Sequence, residues 1–107
     1  ERDGWPRLRL EGGARFKSRL DSMAPYLAER GLPVFFCLYL HPWEFVPTPR
    51  ELVFGEGRLE VAEWLWNNSG PAHLAALDEL IGLLRRDGAT FWTMRDFAAA
   101  WRRGEIF

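Results

Sequence analysis

Val34-Phe35-Phe36-Cys37-Leu38-Tyr39-Leu40-His41-Pro42 is the stretch that decides how this chain is read. Seven consecutive apolar residues precede the histidine, several of them β-branched or aromatic, and neither alternation is polar. That pattern predicts a strand covered on both faces, as in a parallel sheet. A half-exposed hairpin edge would alternate apolar with polar. Pro42 cannot donate to a ladder and biases its predecessor toward extended backbone, so the strand ends at His41.

On the N-terminal side, Phe16, Leu20, Met23, Ala24 and Leu27 share one helical face and predict an amphipathic helix from Ala14 to Arg30. Pro25 either kinks this helix or marks a restart with Ser22 as N-cap. Gly31 supplies the stop, with Pro33 just beyond. The preceding residues 1–13 hold Gly4, Pro6, Gly12 and Gly13 and read as an irregular segment, with at most a short extended piece at Leu8-Arg9-Leu10.

On the C-terminal side, Pro42, Pro47 and Pro49 punctuate a loop. Glu51 to Trp66 is ambiguous, with Leu59, Ala62, Trp64 and Leu65 hinting at a short helix. Asn67-Asn68-Ser69-Gly70-Pro71 is a strong break in which the asparagines serve as turn formers. From Ala72 to Arg86, Leu74, Leu77, Leu80, Ile81 and Leu84 recur at helical spacing, with Ser69 or Gly70 capping and Pro71 near the first turn. Asp87-Gly88 closes that helix. Ala89 to Trp92 reads as a short buried strand, and Thr93-Met94-Arg95-Asp96 opens a last helix that should bury Met94, Phe97, Ala98 and Trp101. The order helix, strand, loop, helix, strand, helix is the grammar of an α/β fold with a parallel sheet.

Composition bounds what such a chain does. Its 107 residues are 48% hydrophobic, 15% aromatic and 27% charged, the balance of a folded unit of one domain or less. Fourteen Lys plus Arg against fifteen Asp plus Glu leave a formal charge of −1, which offers no bulk field for nucleic acid or anionic lipid. With Cys37 alone there is no intramolecular disulfide, and no Cys/His cluster has structural-zinc spacing. The longest apolar run falls far short of the roughly 20 residues a membrane helix needs, and Glu1 to Trp5 has no signal-peptide core. The chain reads as soluble, with its compartment open.

Active groups in α/β folds gather at the carboxyl ends of strands, and His41 stands at one. An imidazole there is suited to general acid or base work near neutral pH, since its unperturbed pKa is about 6.5. Its plainer role is to end the strand and bond a loop carbonyl. Glu44, three residues on, either takes part in the site directly or orients His41. Trp43 either stacks on a ligand or covers a core. The same choice applies to the other five tryptophans, Trp92 and Trp101 being the clearest core candidates. Cys37, inside the apolar run, reads as a small buried hydrophobe.

Leu38-Tyr39-Leu40-His41-Pro42-Trp43-Glu44 resembles the late Leu-His motif of the polysaccharide deacetylases, carbohydrate esterase family four, in the branch whose strand ends in His-Pro. The helix from Ala75 to Arg86, then Gly88-Ala89-Thr90-Phe91-Trp92-Thr93-Met94 and the helix through Trp101, look like that family's C-terminal strand and helix. The resemblance implies that residues 14–107 are the C-terminal portion of a deformed (β/α) barrel, incomplete in this chain. It implies a hydrolase that removes acetyl groups from carbohydrate by cleaving non-peptide carbon–nitrogen bonds, with His41 as the catalytic histidine that protonates the departing amine. Trp43 and Glu44 would be substrate-binding, and an N-acetylated glycan would be the partner. The complete family enzyme also carries a divalent metal, usually zinc.

Departures from the family accompany the likeness. Its Asp-Asp motif and its His-x-x-x-His metal pair are absent, since His41 and His73 are the only histidines. A catalytic zinc keeps about three protein ligands, so this chain holds no metal site of its own and is expected to be inactive alone, its barrel completed by a missing N-terminal half or a partner chain. The alternative, from another class, is a non-catalytic module whose Trp-rich loops bind carbohydrate or protein.

Overall fold

A computed structural model describes residues 6–106. It contains helices α1 (Arg7–Glu11), α2 (Gly13–Ala28), α3 (Glu63–Trp66), α4 (Pro71–Arg86) and α5 (Met94–Arg102), a 3-10 turn (Pro42–Phe45), and strands β1 (Glu51–Phe54) and β2 (Gly57–Glu60). The chain is thus mixed helix and small sheet, compatible with an α/β class.

The two long helices form where periodicity places them. α2 runs through Pro25 without interruption, with Glu29 N donating to the Pro25 carbonyl at 2.9 Å. Its end is closed by Gly31 at φ 64°, which lets Leu32 N reach back to the Leu27 carbonyl at 3.0 Å. α4 begins at Pro71, whose missing N–H costs nothing in a first turn. α5 is capped as its sequence predicts: Thr93 Oγ1 accepts from Asp96 N at 3.1 Å and donates to the Asp96 carboxylate at 2.7 Å.

Where α2 meets α4 the backbones nearly touch. A side chain at Gly13 would place its Cβ 2.5 Å from the Ala76 carbonyl and 2.8 Å from Leu80 N, so glycine is required there for approach. Leu8 of α1, Leu20 of α2, and Ala76 and Leu80 of α4 form the buried cluster around this crossing, with Phe16, Phe36 and Leu40 packed against it. Three helices therefore share one small core.

Several expectations need correction. Residues 1–13 are not irregular throughout: Leu8-Arg9-Leu10 lie in α1, a five-residue helix, rather than in an extended piece. Burial of Leu8 against α2 and α4 decides that local choice, which breakers on either side had obscured. The expected strands at 34–40 and 89–92 form no ladder among the described residues. A strand needs a neighbour to take its N–H and C=O groups, and neither segment finds one here. Phe36 and Leu40 lean on the helices, while Val34, Leu38 and Tyr39 are exposed. The two segments do converge, lining a cavity of about 510 Å³ beneath Leu84 and Phe97. Phe35 stacks on Phe97 of α5, with ring centroids 4.1 Å apart.

The sheet that does form lies in the ambiguous stretch. β1 and β2 pair antiparallel with Phe54 opposite Gly57, leaving Gly55-Glu56 as a two-residue loop. Gly55 takes φ 52°, the positive value that such a tight hairpin needs at its first central position. The hinted short helix is α3, a single turn from which Leu59 is excluded because it sits in β2. Met94, Trp92 and Trp101 are exposed rather than buried, and so is Cys37. Their cover was expected from a sheet whose strands lack partners here. The radius of gyration, 17.4 Å, exceeds the about 13 Å of a compact chain of this length. No helix among the described residues is long and apolar enough to cross a membrane.

Candidate functional site

His41 closes the irregular 34–40 segment with extended backbone (φ −106°, ψ 134°) and serves as N-cap of the 3-10 turn. Pro42 fixes the first residue of that turn, and Glu44, at its third position, folds back over the cap. Glu44 N donates to the His41 carbonyl at 3.0 Å, while His41 N donates to Glu44 Oε2 at 3.0 Å. The same carboxylate oxygen lies 3.2 Å from His41 Nδ1. One short turn therefore grips the histidine by both its backbone and its ring.

Glu44 is itself held. Its other oxygen, Oε1, accepts from Arg9 Nε at 2.9 Å, and both side chains of this pair are fully buried. The Arg9 guanidinium also donates to the Trp64 carbonyl at 2.6 Å and to the Asn67 carbonyl. Asn68, at φ 57°, turns its amide to donate to the Arg9 carbonyl at 3.2 Å, so the asparagines act as the turn formers their sequence suggests. Gly70 N donates to the Glu44 carbonyl at 2.8 Å and ties the turn to the start of α4. A buried ion pair costs desolvation, which further hydrogen bonds offset, and here each guanidinium nitrogen and each carboxylate oxygen has a partner.

Burial alone would push the Glu44 carboxyl up. The Arg9 guanidinium, the His41 backbone N–H and the His41 ring lead the groups that outweigh it, and the carboxyl is held below its ordinary value. An ionised Glu44 accepts only, so the His41 nitrogen facing it is the one that carries a proton.

The expected site residues separate into two kinds. His41 and Trp43 lie together, ring centroids 5.7 Å apart, with Tyr39 edge-on to His41 at 4.7 Å. His41 retains 25% of its side-chain exposure and Trp43 is exposed at 38%, so both reach the surface. Glu44 does not. Its side chain has no exposed surface and meets the backbone and ring of His41 on one oxygen and Arg9 on the other.

Sequence reading missed Arg9. It stands 35 residues before Glu44 in a segment full of breakers, and its only signal is an arginine flanked by leucines in Leu8-Arg9-Leu10. The residues present do not fit the divalent metal that the resemblance implies. His41 Nδ1 and both Glu44 oxygens are engaged, His73 is enclosed in the interior, and no three metal-ligating groups come together among the described residues. No family model matches the chain, and neither does any curated protein or solved structure.

Proposed function

We propose that this chain is the C-terminal part of a polysaccharide-deacetylase-like hydrolase, a deformed (β/α) barrel completed by residues outside it, and that His41 acts in the removal of acetyl groups from a carbohydrate. The observation that carries this reading is the clamp: a fully buried Arg9–Glu44 pair whose free carboxylate oxygen meets the ring and backbone of a partly exposed histidine. Elaborate second partners of this kind are what fix the tautomer and direction of a working imidazole. A histidine that merely ended a strand would need none of them.

In this mechanism Glu44 accepts a hydrogen bond from Nδ1–H and thereby favours the imidazolium, whose Nε2–H gives its proton to the departing amine as water adds to the acetyl carbon and the carbon–nitrogen bond breaks, leaving a neutral His41 that solvent reprotonates. Trp43, exposed beside the imidazole, offers an apolar face on which a sugar ring stacks. The divalent metal of the complete enzyme, zinc in the usual family form, would be held by residues beyond this chain. Exposed apolar side chains on the 34–40 and 89–92 segments, among them Val34, Leu38, Phe91 and Trp92, suit a surface that the rest of a barrel covers.

The test is acetate release from N-acetylated oligosaccharide by the protein that contains these residues. His41→Ala should lower kcat about 10²–10⁴-fold, the usual worth of a general acid, with little change in KM. Undiminished release by His41→Ala would overturn the assignment. Glycan binding with no turnover in either protein would favour the non-catalytic module.

A further inference from the structure

Arg9 stands behind both of the side chains through which the proposed reaction meets its sugar. Its Nε donates to Glu44 Oε1 at 2.9 Å, and Oε2 of that carboxylate meets the His41 backbone N–H at 3.0 Å and Nδ1 at 3.2 Å. In the other direction, the guanidinium carbon lies over the Trp43 ring, 6.0 Å from its centroid. That separation is within the reach of a cation–π contact, which gains strength when the cation is desolvated, and the Arg9 side chain has no exposed surface. The face of the indole turned to Arg9 is closed to a ligand, so a sugar that stacks on Trp43 meets the opposite face.

The guanidinium has little freedom to adapt. Nε is taken by Glu44, one terminal nitrogen donates to the Trp64 carbonyl at 2.6 Å, and the other donates to the Asn67 carbonyl. Its N–H groups point outward in one plane, so contact with a ring falls to its flat faces. Three acceptors from separate parts of the chain therefore fix the plane, and the plane fixes what Trp43 packs on. A lysine would bring a point charge to Glu44, but it could not hold three acceptors in one plane or present a flat face. His41 and Trp43 are only two residues apart, with ring centroids 5.7 Å from each other and planes inclined by 30°. Their common support comes from α1, 35 residues before Glu44.

We propose that Arg9 is a positioning residue that serves two side chains at once: through Glu44 it aims the His41 ring, and through its own face it sets the Trp43 ring, so that the proton donor and the stacked sugar are held in register. The proposal rests on the reading of His41 as the acting group and Trp43 as the sugar platform. Register of this kind matters because a displacement of about 1 Å at a reacting centre costs on the order of 10²-fold in rate.

The experiment is a set of double-mutant cycles in the protein that contains these residues, read by acetate release from N-acetylated oligosaccharide. Arg9→Lys should lower kcat about 10–100-fold and raise KM about threefold or more. In a His41→Ala background the same substitution should change kcat by less than about twofold and still raise KM. In a Trp43→Ala background it should change KM by less than about twofold and still lower kcat. An arginine that only held the fold together would weaken every background alike, and that additive result would overturn the proposal, as would wild-type kcat and KM in Arg9→Lys. Arg9→Gln repeats the cycles if the lysine variant does not fold. Without any variant, NMR of the wild type should show a slowly exchanging Arg9 Nε proton and a nuclear Overhauser contact between the Arg9 side chain and the Trp43 indole, and the absence of either would also overturn it. If His41→Ala proves undiminished in acetate release, the functional reading fails while the spectra still decide the positioning. Arg9→Lys should then still speed exchange of the His41 Nδ1 proton about tenfold or more and shift the Trp43 indole resonance, and an unchanged signal at either residue would sink the shared support.

Discussion

At the scale of single residues, charge burial dominates. Glu44 is held below its ordinary pKa in the interior by Arg9 and by two groups of His41, and burial lowers the pKa of His73, whose ring stacks on Phe45 of the same turn. Both arrangements make stability depend on pH with the same sign. The His73 pKa is lowered by burial, so the unfolded chain binds its proton more readily, and stability declines as pH falls below about 6.5. Glu44 is lowered in the folded state despite its burial, so its contribution, complete above about pH 4.5, is lost as pH falls through the folded value. Unfolding measured against denaturant from pH 8 to 3 should therefore weaken in two stages on the acid side. In His73→Phe the first stage should vanish and the second remain. Equal stability at pH 7 and pH 5 in the wild type would contradict this account.

At the scale of elements, the legible parts of the sequence were those whose signal is local. α2, α4 and α5 follow from apolar spacing, Gly31, Pro71 and Thr93, because a helix satisfies its own backbone and announces its ends. The strand pattern of 34–40 is equally plain, yet pairing depends on a neighbour that local pattern does not supply. The hairpin was hidden for the opposite reason. Its strands are exposed, so β1 and β2 lack the hydrophobic contrast that marks a strand, and only Gly55 and Gly57 punctuate them. Within the site, the His41–Glu44 pair was visible as neighbours three apart, whereas Arg9 required knowledge of how α1 docks. The α2–α4 crossing also carries a prediction. Gly13→Ala drives a methyl into the α4 backbone at Ala76 and Leu80, and neither helix yields without disturbing the core. It should cost about 1–3 kcal/mol by chemical denaturation, although alanine is the better helix former. A neutral or stabilising effect would show that the two backbones are further apart than described.

At the scale of the whole molecule, the Arg9 clamp is where distant parts of the chain meet. Its bonds join α1 to the 3-10 turn and to carbonyls 55 and 58 residues further along the sequence. The hydrophobic cluster near it is small, and apolar side chains elsewhere are exposed, so this polar knot orders more of the molecule than its size suggests. Whether that knot exists as described is reported by one atom, His41 Nδ1, because its proton is placed only when Arg9, Glu44 and the turn are all assembled. The most direct measurement is the tautomer of His41 in ¹⁵N imidazole spectra at neutral pH. The account predicts a proton on Nδ1, bonded to Glu44 and slow to exchange, with that protection lost in Glu44→Gln. A neutral ring protonated on Nε2, or an Nδ1 proton indifferent to Glu44→Gln, would contradict it.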